Sequence, residues 1–220
     1  MILKLPPDQH AAAERYRAWR SVHRYSRCKI AWDPAYMEIR DRIVTAPPMP
    51  VLDVGCGMGL FAAYLRESGV RVPITGADPA EDKIGIARQV VPDATFLVGS
   101  VDAPDAFLGH VVVLDVLHYF DAAGREKFLS DVIACVAPGG SAWIRTTLRD
   151  GSLRYWVTQL EELFVRTSRW IVGGKWNFPT EEQIVAPFKA TGWACRSEPM
   201  WGRTPFNSYL FEFKRPAEPQ

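Results

Sequence analysis

The stretch Val51-Leu52-Asp53-Val54-Gly55-Cys56-Gly57-Met58-Gly59 constrains this chain more than any other. A short apolar run turns through closely spaced glycines into a segment with Leu60, Phe61, Tyr64 and Leu65 at helical spacing. That pattern predicts a buried strand running into an amphipathic helix. Glycine has no Cβ, so such a turn lets bare backbone approach a ligand, and the free N–H groups of the helix start point the same way. The spacing is GxGxG. A dinucleotide fingerprint wants Gly or Ala where Leu60 stands, which disfavours NAD or flavin.

The alternation continues beyond the glycines. Val72 to Ala77, Thr95 to Val98, Val111 to Val116 and Ser141 to Thr146 read as strands. Helical patterns run from Lys83 to Val90 and through Phe128, Leu129, Val132, Ile133 and Val136, closed by Pro138-Gly139-Gly140. Short apolar strands alternating with amphipathic helices predict a parallel sheet covered on both faces. Leu153 to Trp170 is aromatic-rich and predicts a helix ended by Gly173-Gly174. Thr180-Glu181-Glu182-Gln183 is a capping-box signature for another helix, with Pro187 predicting a kink or a short first segment. Trp193 to Met200 and Ser208 to Lys214 finish the chain as strands.

From Gln9 to about Val44 the pattern is helical, basic and aromatic, with Asp33-Pro34 as a helix start and Ala46 to Pro50 as a breaker. The predicted organisation is an N-terminal helical lid over 1–46, a ligand-binding domain over 47–214 with a recognition insertion at 151–179, and a disordered tail at 215–220.

At 220 residues the chain has room for one α/β domain. Its net charge of +1 gives no general attraction to nucleic acid or an anionic membrane. Cys28, Cys56, Cys135 and Cys195 form no CxxC pair, which argues against a zinc site or disulfide framework and fits a reducing, cytoplasmic setting. No apolar run approaches the roughly 18 residues that cross a bilayer. No metal is expected.

Four segments together carry a resemblance. Val51 to Gly59 resembles the first motif of the class I S-adenosylmethionine (SAM)-dependent methyltransferases, and Gly76-Ala77-Asp78-Pro79 their second acidic motif. Leu114-Asp115-Val116-Leu117-His118-Tyr119 resembles the fourth motif, and Ala137-Pro138-Gly139-Gly140 the turn before strand five. The resemblance covers residues 49 to 146, and the rest only as architecture. It implies a Rossmann-like α/β fold, a seven-stranded mostly parallel sheet of order 3-2-1-4-5-7-6, and SAM as cofactor. Gly55 and Gly57 would form the loop, Asp53 would balance the methionine ammonium, Asp78 with Pro79 would meet the ribose, and Asp115, at the acidic end of strand four, would also contact the cofactor. Relatives often read Gly-Asp-Ala after strand three, whereas Gly99-Ser100-Val101-Asp102 stands here. Either Ser100 replaces the acid, or Asp102, beside Val101, reaches back to the adenine.

Methyl transfer from a sulfonium needs orientation and a dry cavity, and a base only when the nucleophile carries a proton. Neither the Asn/Asp-Pro-Pro-aromatic signature of amino methylation nor a Pro-Cys nucleophile occurs, which disfavours DNA base methylation. Trp156, Phe164, Trp170, Trp176 and Phe178 either line an acceptor pocket or form the core of an added helical layer. Residues 10 to 45 hold eight Arg and Lys against four acids. This segment is a lid offering Arg27 or Lys29 to the methionine carboxylate, a docking face for an acidic carrier protein, or a solvated basic helix. His118, at the sheet edge where ligands bind, is the candidate base, with Tyr119, Asp115 and His23 as alternates. His110, at the opposite end of its strand, reads as structural.

Tyr25 to Pro34, with Thr204 to Leu210, is similar to small methyltransferases of bacterial aryl-polyene and fatty-acid-synthase-like gene clusters. That likeness implies a phenolic or polyketide-type acceptor, free or tethered to an acyl carrier protein. The expected function is SAM-dependent methylation of a small molecule at O or C. The alternatives are protein or RNA methylation, or a non-catalytic SAM-binding scaffold.

Overall fold

The computed structural model describes residues 5–99, 107–158, 177–202 and 206–217. Three helices lead the chain: α1 (Pro7–Glu14), α2 (Arg20–Trp32) and α3 (Ala35–Thr45). The alternating unit follows as β1 (Val51–Val54), α4 (Leu60–Glu67), β2 (Ile74–Asp78), α5 (Glu81–Val90), β3 (Thr95–Val98) and β4 (His110–Leu114). A 3₁₀ turn at Leu117–Tyr119 precedes α6 (Ala122–Cys135) and β5 (Ser141–Thr147). The described chain closes with α7 (Glu181–Ala190), β6 (Ala194–Pro199) and β7 (Ser208–Lys214).

The strands form one sheet of order β3-β2-β1-β4-β5-β7-β6. The central pairs are parallel, and β7 runs antiparallel to both β5 and β6. Successive side chains of a strand point to opposite faces, so a strand covered on both sides must be apolar throughout. Val51 and Val112 accordingly join a core with Ile39, Phe61, Tyr64, Leu65 and Ile84 on one face. Leu52, Val54, Val111 and Val113 join Leu129, Val132, Phe188, Phe211 and Phe213 on the other.

Several expectations change in detail. The basic N-terminal segment is three helices, the last beginning just after Asp33-Pro34 as the sequence predicts, and α1 packs against α4 beside the glycine loop. The Tyr16 hydroxyl donates to the Met58 carbonyl at 2.9 Å, and the Arg15 guanidinium donates to the Val90 carbonyl at 2.7 Å. Asp33 lies one residue ahead of the cap position, which Pro34 occupies, although its carboxylate still accepts from the Ala35 N–H at 3.1 Å. Strand four stops at Leu114, because Asp115 adopts a left-handed φ of 58° that no strand can continue.

The capping box at Thr180 forms in both directions, and α7 runs through Pro187 to Ala190 rather than ending early. Of the stretch from Leu153, residues 153–158 are helical, and residues 159–176 lie outside the described part. Arg215 and Pro216, placed by the sequence in a disordered tail, bond to the turn before β5: the Arg215 N–H donates to the Gly140 carbonyl at 3.0 Å and the Gly139 N–H to the Pro216 carbonyl at 3.2 Å.

Candidate active site

Three left-handed glycines shape the loop after β1, and each answers a different demand. A Cβ on Gly55 would lie 2.3 Å from the Val116 side chain, and one on Gly59 would lie 3.1 Å from both Ala87 and Phe96. Those two positions are closed by the protein's own packing. A Cβ on Gly57 would meet nothing within 4 Å, so its bare backbone faces open space at the loop's crest. Asp78, at the end of β2, ties the loop to the sheet edge: one carboxylate oxygen accepts from the Gly57 N–H at 2.9 Å and the other from the Ala80 N–H at 2.9 Å.

Asp53 sits beneath this loop, buried, with its Oδ2 lacking any hydrogen-bond partner. Burial, reinforced by the Asp78 charge, pushes its pKa up to about 7. A buried carboxylate with an unspent oxygen is a site that a cation would satisfy. The residues therefore fit SAM, whose methionine ammonium would meet Asp53 and whose ribose would meet Asp78.

A cavity of about 400 Å³ opens at the C-terminal edge of β4 and β5, roofed by α2. Tyr25, Trp32, His118, Tyr119, Phe178 and Phe206 give it a largely aromatic wall. Its volume lies within the few hundred Å³ or more usual for small-molecule sites.

One corner of this cavity is charged. Lys29 Nζ lies 2.7 Å from Asp33 and 2.8 Å from Asp115. Arg145 pairs with Asp115, and its second terminal nitrogen lies 3.4 Å from Asp33. Burial opposes the charge on Asp115, but Arg145 and Lys29 together outweigh it and hold the carboxyl well below its usual range. Burial likewise opposes the charge on Lys29, but Asp115 and Asp33 reverse the effect, so Lys29 stays cationic.

His118 is buried on the 3₁₀ turn after β4, its ring centroid 4.2 Å from that of Tyr119 and 5.8 Å from that of Phe178. Burial pushes its pKa down to about 4; Asp115 opposes this, while Arg145, Lys29 and Arg125 add to it. The imidazole is therefore neutral at physiological pH, and a weak base.

The structure thus gathers Lys29, Asp115, His118 and Tyr119 at one cavity and Asp53, Gly55, Gly57 and Asp78 at the adjoining loop. His23 and Arg27 lie elsewhere, at 2.9 and 3.4 Å from the same Glu14 carboxylate oxygen. Phe178 is buried at the cavity wall, whereas Trp156 is exposed. Ser100, Val101, Asp102, Phe164, Trp170 and Trp176 fall outside the described residues. His110 is held structurally, its ring 2.9 Å from the Pro47 carbonyl and accepting from the Ser141 N–H at 3.0 Å.

Sequence reasoning missed two members of the charged corner. Asp33 read only as a helix cap. Arg145 was passed over inside an apolar strand, although an arginine in the run Ser-Ala-Trp-Ile-Arg-Thr-Thr was itself a signal, since such a charge must find a buried partner. Among the described residues no cluster of His, Cys, Asp or Glu could hold a metal, and no helix is long and apolar enough to cross a membrane.

Sheet order, glycine loop and edge carboxylates together define a Rossmann-like class I methyltransferase. The chain belongs to the methyltransferase domain family, whose model matches residues 22–198. An uncharacterized methyltransferase of Mycobacterium tuberculosis is 28% identical over 149 residues, which cover 66% of this chain and 58% of that protein. This chain thus spans little more than half the length of that relative. A ubiquinone biosynthesis O-methyltransferase of Rhizobium johnstonii is 25% identical over 193 residues, 79% of this chain and 73% of that one. The same fold occurs in magnesium protoporphyrin IX methyltransferase from Synechocystis with bound SAH, at a TM-score of 0.65, 18% identity and 82% coverage of each chain. That enzyme is also known with bound SAM, the cofactor that belongs to this family and fold.

Proposed function

We propose that the protein transfers a methyl group from SAM to a small-molecule acceptor, an aromatic or polyketide-type compound methylated at O or C. The observation that carries this reading is the aromatic-walled cavity with a single charged corner, set beside the glycine loop. The cofactor, when bound, supplies a methyl group on a sulfonium. Asp53, Gly55, Gly57 and Asp78 with Pro79 would hold it, with Val101 and Asp102 assigned to its adenine end. Tyr25, Trp32 and Phe178 would orient a flat acceptor and exclude water from it. His118, neutral at pH 7, would hydrogen-bond the acceptor hydroxyl. The relatives named as ubiquinone biosynthesis O-methyltransferases support an oxygen acceptor of this kind. The free cysteines fit a cytoplasmic setting.

The test is label transfer from methyl-labelled SAM across phenols, polyketide-type acids, thioesters on an acyl carrier protein, peptides and RNA. Label on phenols or polyketide acids is the expected result, and the carrier arm decides whether the acceptor is tethered. Label confined to peptide or RNA would overturn the small-molecule reading. Failure to bind SAM in calorimetry would instead leave a non-catalytic scaffold.

A further inference from the structure

The charged corner of the cavity has donors to spare. Each oxygen of its two carboxylates is engaged: Asp33 Oδ1 by the Ala35 N–H, Asp33 Oδ2 and Asp115 Oδ2 by Lys29, and Asp115 Oδ1 by Arg145. An ammonium has three N–H donors, and these carboxylates use two of those on Lys29. Arg145, also at the cavity wall, has a buried Nε without a hydrogen-bond partner. Two cations offset two anions, so what the corner can still take is a hydrogen-bond acceptor, and an anionic one bonds more strongly than a neutral one.

Lys29 also faces this cavity rather than the glycine loop. It lines the cavity with His118, Tyr119, Thr147, Thr158 and Phe178, whereas none of Asp53, Gly55, Gly57 and Asp78 does.

We propose that the Lys29 ammonium, fixed by Asp33 and Asp115, recognises an acidic oxygen on the acceptor and holds it as the anion. The proposal rests on the aromatic-acceptor reading and narrows it to phenols, enols and related acids that ionise without strong help. The acceptor's proton passes to solvent as the oxygen binds. The oxyanion then forms its bond to the methyl carbon as the carbon–sulfur bond breaks and that electron pair returns to sulfur. Oxyanion and sulfonium charges cancel, and no strong base is called for. A neutral and weakly basic His118 is consistent with that division of labour.

The experiment uses the full chain saturated with S-adenosylhomocysteine and 4-nitrophenol as probe, because its absorbance reports its own ionisation. A pH titration of the bound phenol should give a pKa about one unit or more below that of the free compound, because the spare donors bond the anion more strongly than the neutral phenol even though the corner's charges balance. Lys29→Arg should keep most of the shift, and Lys29→Met should lose it. The affinity of Lys29→Met for SAM should stay within about threefold of wild type. An unshifted phenol in the wild-type protein overturns the role of Lys29 but leaves the aromatic-acceptor reading standing, and it does so whether or not any variant folds. A shift that persists in folded Lys29→Met overturns it equally. A loss of SAM affinity of about tenfold or more in Lys29→Met would assign the ammonium to the cofactor's carboxylate instead. No phenol binding at all to the wild type overturns the acceptor reading and the proposal together.

Discussion

Asp53→Asn separates the energetic cost of the buried acid from its use. The carboxylate is 2% exposed and its pKa is pushed up to about 7. Against about 3.9 in an unfolded chain, that is roughly three units, or about 4 kcal/mol at 1.36 kcal/mol per unit. Because the folded value is the higher one, the contribution to stability is complete below about pH 4 and is lost as the pH rises through about 7. The cofactor-free protein should therefore lose up to about 4 kcal/mol across that interval relative to Asp53→Asn, with the difference level at higher pH. The assay is urea unfolding of both proteins at pH 5, 6, 7 and 8, with the m-value checked for constancy. Calorimetry should show the opposite preference for SAM. Loss of a charged hydrogen-bond acceptor worth about 1.5–3 kcal/mol weakens binding by roughly ten- to 150-fold. Equal stability of the two proteins at every pH would refute the burial argument. Equal SAM affinity would refute the pairing of Asp53 with the ammonium.

Asp78→Ala should weaken SAM binding by roughly ten- to 150-fold, measured by calorimetry, because it removes a charged acceptor together with the anchor of the Gly57 N–H. Gly57→Val should weaken it further, since the new side chain enters open space at a left-handed backbone position, and unchanged affinity would mean that no ligand lies there. Tyr16→Phe should lower stability by about 1 kcal/mol in urea unfolding through loss of its bond to the Met58 carbonyl; an unchanged midpoint would show that the bond contributes nothing. His118→Ala should lower kcat by less than about 100-fold at any pH, and a larger fall that recovers at alkaline pH would restore the imidazole as general base.

The elements themselves were legible because their signals are local. A buried strand is a short apolar run, as at Val51 and Val111, and a helix shows periodicity and caps, as at Thr180. The glycine loop and Asp78 were readable for the same reason, since backbone without Cβ is written directly in the residue type. The strand order came from resemblance to a family, because spacing alone does not say that β7 inserts between β5 and β6. In the N-terminal segment the start of α3 after Asp33-Pro34 was legible, whereas the break between α1 and α2 was not.

Only the tertiary structure assembled the aromatic-walled cavity. Lys29 lies 86 residues from Asp115, and Arg145 30 residues beyond that. Nothing local distinguishes the lysine of a basic helix from one pinned between two carboxylates. The same holds for His118: its identity suggested a base, while its basicity was set by burial and by cations brought from other elements. A residue's intrinsic chemistry belongs to its side chain and can be read in the sequence. Its charge state and its partners depend on what folding places within a few ångströms, where the local dielectric is low and Coulomb interactions are strong.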